Sequence, residues 1–484
     1  MTSSDQAAVP IDDGYKWRAF GAVGSFLVTA VLALTMVFLA LPAMAEDFGV
    51  TLQAVSWVVI ASSLTISALL LPFGRLADVI GRRRVHLVGL VLFAVGAAMT
   101  AAAGSFVVLI VARIVMSVGG AMAESVTTGI LVSVFPDHER GKAIGAQTTS
   151  VAVGSALGPL AAGVALQFFD WRALFVVIVA LTALSFVIAV VVLDEERISR
   201  TMPDNRPFDW RGSALSAAVV VLFVLTVNNP LGLDWLSWPI GLALVGLVAG
   251  TVVFVRWELS IQDPMLQLRF FADEVFRRAV VARVLGFTAG SAVFILVPIV
   301  LVSVRGMSEG RAGLTLFLNS VGLGVAAQLS GRLSDRLGAR WFMVAGFTAT
   351  TVAMLAFAAM SLTTPLWVVA AVSLLSGLAL GTWNVPNNAT VIGSVPPSSY
   401  GVVGAFTNLA RNVGNVFGQA AVAAVVGGVL LARGFDIPLG DVAEVAGADD
   451  AFLVGWRAAF GVMAAFGALA ALLALRIRPG GAPE

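Results

Sequence analysis

The chain has no cysteine, which excludes disulfides, thiolate-ligated zinc and thiol catalysis. It has only two histidines, His86 and His138, and both fall in charged stretches read as connecting segments, a poor basis for a metal site. Charged residues are also scarce, at 12% of 484 residues. Soluble domains carry roughly 25%, so this chain cannot cover a water-facing surface and an ordinary soluble enzyme is excluded. The formal net charge is +1, which gives no argument for a nucleic-acid partner.

What fills the chain instead is apolar: 59% of residues, with a mean hydropathy of +0.97. A bilayer-spanning helix needs about 20 mostly apolar residues. Blocks of that length run from end to end and number fourteen, the first over 18–42, the seventh and eighth over 212–228 and 238–256, the last over 455–476. The short alternating pattern of a membrane barrel is absent. The apolar part of the first block is too long for a signal peptide, so it reads as an uncleaved helix despite the small residues Ala43 and Ala45. With both chain ends on one side, only Arg172, Arg305, Arg311, Arg433 and Arg457 fall on the other, and the charge asymmetry assigns the ends to the cytoplasm. The longest connection on the opposite side, 432–454, is acidic and expected to be mobile.

The chain repeats internally. Gly74-Arg75-Leu76-Ala77-Asp78-Val79-Ile80-Gly81-Arg82 returns as Gly331-Arg332-Leu333-Ser334-Asp335-Arg336-Leu337-Gly338-Ala339. Pro136, Gly141, Gly154 and Gly158 match Pro396, Gly401, Gly414 and Gly418 at one constant offset. Duplication of this kind is common in secondary transporters. The reading is an all-α polytopic membrane protein: a six-helix half over 1–193, linkers with two inserted central helices over 194–278, and a second six-helix half over 279–484.

The connection between spans 2 and 3 carries the most specific motif. Gly74 and Gly81 permit a tight turn, and Asp78 is placed to cap a helix end or to pair with Arg75 or Arg82. This stretch resembles the major facilitator superfamily, whose signature G-x-L-A-D-x-x-G-R-[KR] is complete here through Arg83. The resemblance implies a gating loop made by Gly74, Arg75, Asp78, Gly81, Arg82 and Arg83 that latches an outward-open state.

Other spans carry further candidates. In span 5, Gly154, Gly158 and Gly163 surround Pro159; glycines four apart clear a helix face for close packing, and the proline bends the helix. The segment looks like the family's antiporter motif, which implies export. In span 4, Arg113, Ser117, Gly120, Glu124 and Thr128 share one helix face. Ionisable groups inside a span are costly and mark function. Arg113 and Glu124 lie about 16 Å apart along the helix at 1.5 Å per residue, too far to pair. Arg113 matches the arginine of a family motif implicated in proton movement, although Met116 and Ser117 replace the residues that usually follow it. In span 12, Trp383 offers an aromatic face, and Asn384 and Asn387 offer amides for a substrate cavity. Span 13 carries a polar stripe of Asn408, Asn412, Asn415 and Gln419 beside Arg411, read as a gate or an interhelical network.

Span 1 reads Leu32-Ala33-Leu34-Thr35-Met36-Val37-Phe38-Leu39-Ala40-Leu41-Pro42. It resembles the L-D-x-T-x-V-N-x-A-L-P signature of fourteen-helix drug:proton antiporters, with Ala33 and Phe38 in place of the acid and the amide. Thr35 and Ser117 join the cavity candidates. With the acid absent, Glu124 is the leading candidate for proton coupling, with Arg113 beside it.

These residues imply a proton-coupled exporter of amphipathic, drug-like molecules working by alternating access. The expected partners are a small-molecule substrate, protons and the lipid bilayer, with no nucleic acid. No cofactor is implied, only a proton gradient, and a monomer is expected. The alternative is a transporter of a specific solute or lipid without tight proton coupling; a non-transporting sensor is more remote. No nucleophile–base pair, metal cluster or phosphate loop argues for an enzyme. Arginine far outnumbers lysine (Lys16 and Lys142 alone), which favours a GC-rich prokaryote and hence a bacterial cytoplasmic membrane.

Overall fold

The structure, a computed structural model, describes residues 13–198, 208–229, 233, 237–307, 309–396, 399–435, 437, 442, 445 and 447–477. Much of the acidic connection 432–454 and of the linker 194–211 lies outside the described residues.

Among the described residues, fourteen helices are long and apolar enough to cross a membrane. They are α1 (Asp13–Phe48), α2 (Trp57–Ile80), α3 (Arg82–Ala101), α4 (Phe106–Val134), α5 (Arg140–Phe168), α6 (Arg172–Val192), α7 (Trp210–Asn228), α8 (Trp238–Ser260), α9 (Glu274–Ile299), α10 (Glu309–Leu337), α11 (Ala339–Ala358), α12 (Leu366–Gly393), α13 (Tyr400–Ala432) and α14 (Ala448–Leu475). Among the described residues there is no strand. The helices outrun the apolar blocks that announce them because polar ends continue the backbone ladder beyond the apolar region. Side-chain caps fix several starts: Ser105 accepts from the Val108 amide, Asp209 from Gly212 and Asp273 from Phe276.

The first six helices pack on one another, chiefly α3 on α4, α1 on α5 and α2 on α4. The last six do the same, chiefly α10 on α12, α11 on α14 and on α12, and α9 on α13. Close crossings use small residues, as lipid-embedded helices gain little from the hydrophobic effect between them. A Cβ on Gly96 would lie 2.2 Å from the Met116 nitrogen, and one on Gly377 would lie 1.9 Å from the Asn319 carbonyl oxygen.

The two groups meet through α5–α10, α2–α13, α4–α13 and α5–α12. These contacts concentrate toward one face of the bundle, the one that carries the start of α1, the end of α14 and the arginine-rich connections, called here the basic face. There, Leu71, Val132 and Ile144 of the first group share one apolar cluster with Val402, Val403 and Val385 of the second. Toward the other face, the second group keeps a core of its own around Phe357, Phe452 and Phe460. The inserted pair leans outward: α7 packs on α8, α2 and α13, and α8 leaves most of its surface exposed.

His86 is not in a connecting segment. It lies inside α3, fully buried, with Nδ1 on the Ala123 carbonyl and its ring edge-on to Phe26. The basic run Arg82–Arg84 is the first turn of that helix rather than a loop.

Candidate functional site: a two-sided gate and a charged centre

The motif from Gly74 to Arg83 is continuous helix as far as Ile80. Gly81 then takes φ +105, a conformation that side-chain-bearing residues avoid, and α3 begins at once. This turn leaves Asp78 pointing across the bundle. Its Oδ2 accepts a hydrogen bond of 3.1 Å from the Val402 amide, in the first turn of α13. Its Oδ1 accepts from Arg82 Nη2 at 3.1 Å, and Arg82 Nη1 donates to the Gly129 carbonyl of α4. A carboxylate at a helix N-terminus satisfies unpaired amides and complements the helix dipole.

The second copy of the motif does the same in the opposite direction. Asp335 accepts from the Gly141 and Lys142 amides in the first turn of α5, at 2.9 and 3.0 Å. Each aspartate thus sits on the other group's helix start. The glycines there leave room: a Cβ on Gly401 would lie 2.1 Å from Asp78 Oδ1, and one on Gly141 would lie 2.4 Å from Asp335 Oδ1. Both pairs are visible as repeats in the sequence. What sequence reading missed is that they cross, Asp78 with Gly401 and Asp335 with Gly141.

Further ties close the same face. Arg140 donates to the Tyr400 hydroxyl and covers its ring at 5.0 Å. Thr149 Oγ1 donates to the Gly324 carbonyl. Gly74 brings α2 against Ala405 of α13, a Cβ there meeting the Ala405 Cβ at 2.5 Å. Beside these, Glu139 accepts from Lys16 and from Lys142. The Lys16 hydrogen bond, and then Lys142, hold the Glu139 carboxyl below its usual range. This contact is present at neutral pH and is lost only as acid protonates Glu139.

Not every residue of the motif joins these contacts. Arg75 is buried but makes no ion pair among the described residues, so Asp78 takes Arg82 alone of the two candidates. Arg83 donates to the Val190 carbonyl at the end of α6, a helix-end contact inside the first group.

About 15 Å along α4 from the basic face, at 1.5 Å per residue, lies the charged centre. Arg411 Nη2 of α13 donates to Glu124 Oε1 at 2.5 Å. This ion pair joins the two groups, and its side chains remain 26% and 18% exposed, so it borders open space. One turn back along α13, Arg283 Nε of α9 donates to the Thr407 carbonyl at 2.9 Å, and Arg283 Nη1 donates to Asn384 Oδ1 at 2.9 Å. Beside the pair, Asn412 donates to Ser67 Oγ of α2 at 3.4 Å. Arg283 and Arg411 were missed as a set because nothing in their sequence spacing brings α9 and α13 together.

The remaining candidates serve packing. Arg113 is buried against Phe175 with Met116 Sδ as its hydrogen-bond acceptor, and it has no carboxylate partner among the described residues. Ser117 is buried in the first group. Trp383 is 0% exposed, stacked on Phe347 at 4.6 Å and edge-on to Phe287. Asn387, equally buried, donates to the Ala279 carbonyl. Trp383 and Asn387 therefore face the interior of the second group rather than a cavity in this state, because Gly286 and Gly346 leave an indole-sized gap there. Of that trio only Asn384 reaches the charged centre.

Thr35 faces α5. A Cβ on Gly158 would lie 1.8 Å from Thr35 Oγ1, and one on Gly154 would lie 2.8 Å from the Val28 carbonyl oxygen. Gly163 is open on that side and takes no part in this crossing. Pro159 is accommodated within unbroken α5. Gly158→Ala is expected to destabilise the protein by about 1–3 kcal/mol through overpacking. Thermal unfolding in detergent measures it, and adding Thr35→Ala should recover part of the loss by removing the nearest atom.

The sequence matches the family model described as Major Facilitator Superfamily over residues 21–419 and 279–484. The chain belongs to that superfamily. It is 27% identical over 398 residues to the riboflavin transporter RibZ of Clostridioides difficile, covering 82% of this chain and 85% of that protein. It is 29% identical over 434 residues to the multidrug efflux pump LfrA of Mycolicibacterium smegmatis, covering 89% and 85%. In three dimensions it resembles the human organic anion transporter MFSD10, with a TM-score of 0.69 at 16% identity over 95% of this chain and 99% of the other, a likeness of fold. The chain is a multi-pass membrane transporter, not an enzyme, and multidrug efflux pumps are among the proteins it is similar to.

Proposed function

We propose that the protein is a proton-linked exporter of amphipathic small molecules in a bacterial cytoplasmic membrane, with the basic face toward the cytoplasm. The observation that carries this reading is the Glu124–Arg411 ion pair, which joins the two six-helix halves at mid-depth. A carboxylate whose charged form ties the halves together makes conformation depend on protonation. While Glu124 is ionised, the pair and the two aspartate latches hold the cytoplasmic side shut, an outward-facing arrangement. A proton arriving from outside neutralises Glu124, frees Arg411 and lowers the barrier to inward opening. The halves then rock about the centre, with Asp78 and Asp335 releasing the starts of α13 and α5. The multidrug efflux pump among the relatives supports the direction and the amphipathic substrate. No cofactor enters this cycle, and one chain contains all of its parts.

A second reading, transport of one specific solute without tight proton coupling, is favoured by Ala33 and Phe38 in α1 and by similarity to a riboflavin transporter. Efflux of a panel of cationic, anionic and neutral dyes from expressing cells, with and without a protonophore, separates the two. Protonophore-sensitive efflux of several dyes above the empty-vector control supports the exporter. Protonophore-insensitive efflux restricted to one compound supports the specific transporter.

A further inference from the structure

The charge inventory of the membrane interior constrains the substrate more sharply than the exporter reading, on which this inference rests. Between Arg18 and Glu46, α1 has no ionisable residue, and α12 has none at all. The only charged residue of α13 is Arg411, and those of α4 are Arg113 and Glu124. Among the described residues the charged centre therefore holds one carboxylate, Glu124, against two arginines, Arg283 and Arg411, while Arg113 lies apart against Phe175. Arginine stays protonated in proteins. Glu124 is already matched by Arg411. Arg283 is 3% exposed, and its neutral partners, a carbonyl and an amide oxygen, leave its charge uncompensated.

We infer that the central site excludes organic cations and takes neutral amphipathic molecules that carry a hydrogen-bond donor beside an acceptor, such as an imide or a hydroxy-ketone. A cation arriving at Glu124 displaces Arg411 and meets two unpaired guanidiniums in a low-dielectric space. An anion has the opposite difficulty. Held by Arg411, it strips Glu124 of its counter-charge and favours a proton there, so anion and proton bind together; by linkage that is the sign of a symporter, not of an exporter driven by proton entry. A neutral donor–acceptor group fits between the partners, its donor toward the Glu124 carboxylate and its acceptor toward Arg411. Protonating Glu124 weakens the acceptor that the donor needs. Proton and substrate then exclude each other, as antiport requires. Asn384 sets the charge selectivity, because its oxygen is the neutral partner of Arg283 where a carboxylate would bring the centre closer to neutrality.

The test uses the full-length protein in acid-lumen proteoliposomes with the membrane potential clamped. Three probes are followed: lumiflavin, neutral with an imide; fluorescein, an anion; and tetraphenylphosphonium, a cation. The wild type is expected to accumulate lumiflavin several-fold above protein-free vesicles and to leave both ions at background. Asn384→Asp, nearly isosteric, is expected to raise tetraphenylphosphonium accumulation roughly tenfold by removing one uncompensated charge at close range. Tetraphenylphosphonium accumulated by the wild type as well as lumiflavin overturns the inference and leaves the exporter reading intact, whereas fluorescein moving together with protons overturns the inference and the exporter reading alike. A folded variant that moves lumiflavin but keeps the cation at background overturns the role of Asn384. If no probe moves although the wild type unfolds at a normal temperature, the exporter reading itself fails.

Discussion

Glu124→Gln is expected to abolish pH-gradient-driven transport, to less than a tenth of the wild-type rate, while substrate counterflow without a gradient persists at a raised substrate concentration, which offsets the weaker acceptor. Glutamine keeps an oxygen for Arg411 but carries no charge and takes up no proton at working pH. The tie between the halves weakens by roughly 1–3 kcal/mol, between the values for exposed and for buried ion pairs, because the pair is only partly exposed. The cytoplasmic side should then open more often, seen as greater labelling of a cysteine placed there; the wild type has no cysteine to interfere. Two rates separate coupling from collapse, since a misfolded variant loses counterflow as well. Gradient-driven transport at the wild-type rate in Glu124→Gln would move proton coupling elsewhere in the chain.

The second large effect is expected at the latches. Asp78→Asn and Asp335→Asn each remove a charged acceptor from a helix start, and hydrogen bonds to charged groups contribute about 1.5–3 kcal/mol. Asp78 also neutralises Arg82, which is fully buried and has no other carboxylate among the described residues, so its loss leaves a buried charge unpaired. Asp78→Asn should therefore be the more severe of the two. The double variant should shift the population toward the inward-open state and lower transport at least tenfold. Distances between spin labels on the cytoplasmic ends of α2 and α13, and of α5 and α10, measure that shift. A double variant with unchanged distances would show that the remaining contacts, the apolar ones of Leu71, Val132 and Ile144 and the Arg140–Tyr400 tie among them, hold this face closed without the aspartates. Gly401→Ala offers an independent route to the same end, since its Cβ would collide with Asp78 Oδ1.

Much was legible in the sequence because membrane solvation imposes a simple rule. Every backbone polar group in lipid must be satisfied within its own element, so long apolar blocks can only be helices. Their number, the all-α class and the superfamily resemblance of the motif from Gly74 to Arg83 follow from one-dimensional information. So does the prominence of Glu124, because a lone carboxylate deep in an apolar block stands out. The two repeats were equally visible, Asp78 with Asp335 and Gly141 with Gly401.

The tertiary structure alone decided which of these residues meet. Asp78 reaches Val402 and Asp335 reaches Gly141 because the two groups of helices face each other with their motifs crossed. A repeat shows that two segments are alike, not that each binds the other's partner. Trp383 and Asn387 share a motif with Asn384, yet the turn of one residue along α12 sends the first two into the core and the third to Arg283. Arg411 was legible beside a polar stripe, but its partner was not until packing set it against Glu124. Composition and periodicity report how each helix meets its solvent. The pairing of charges depends on the rotation and register of one helix against another, and a single sequence contains no term for those.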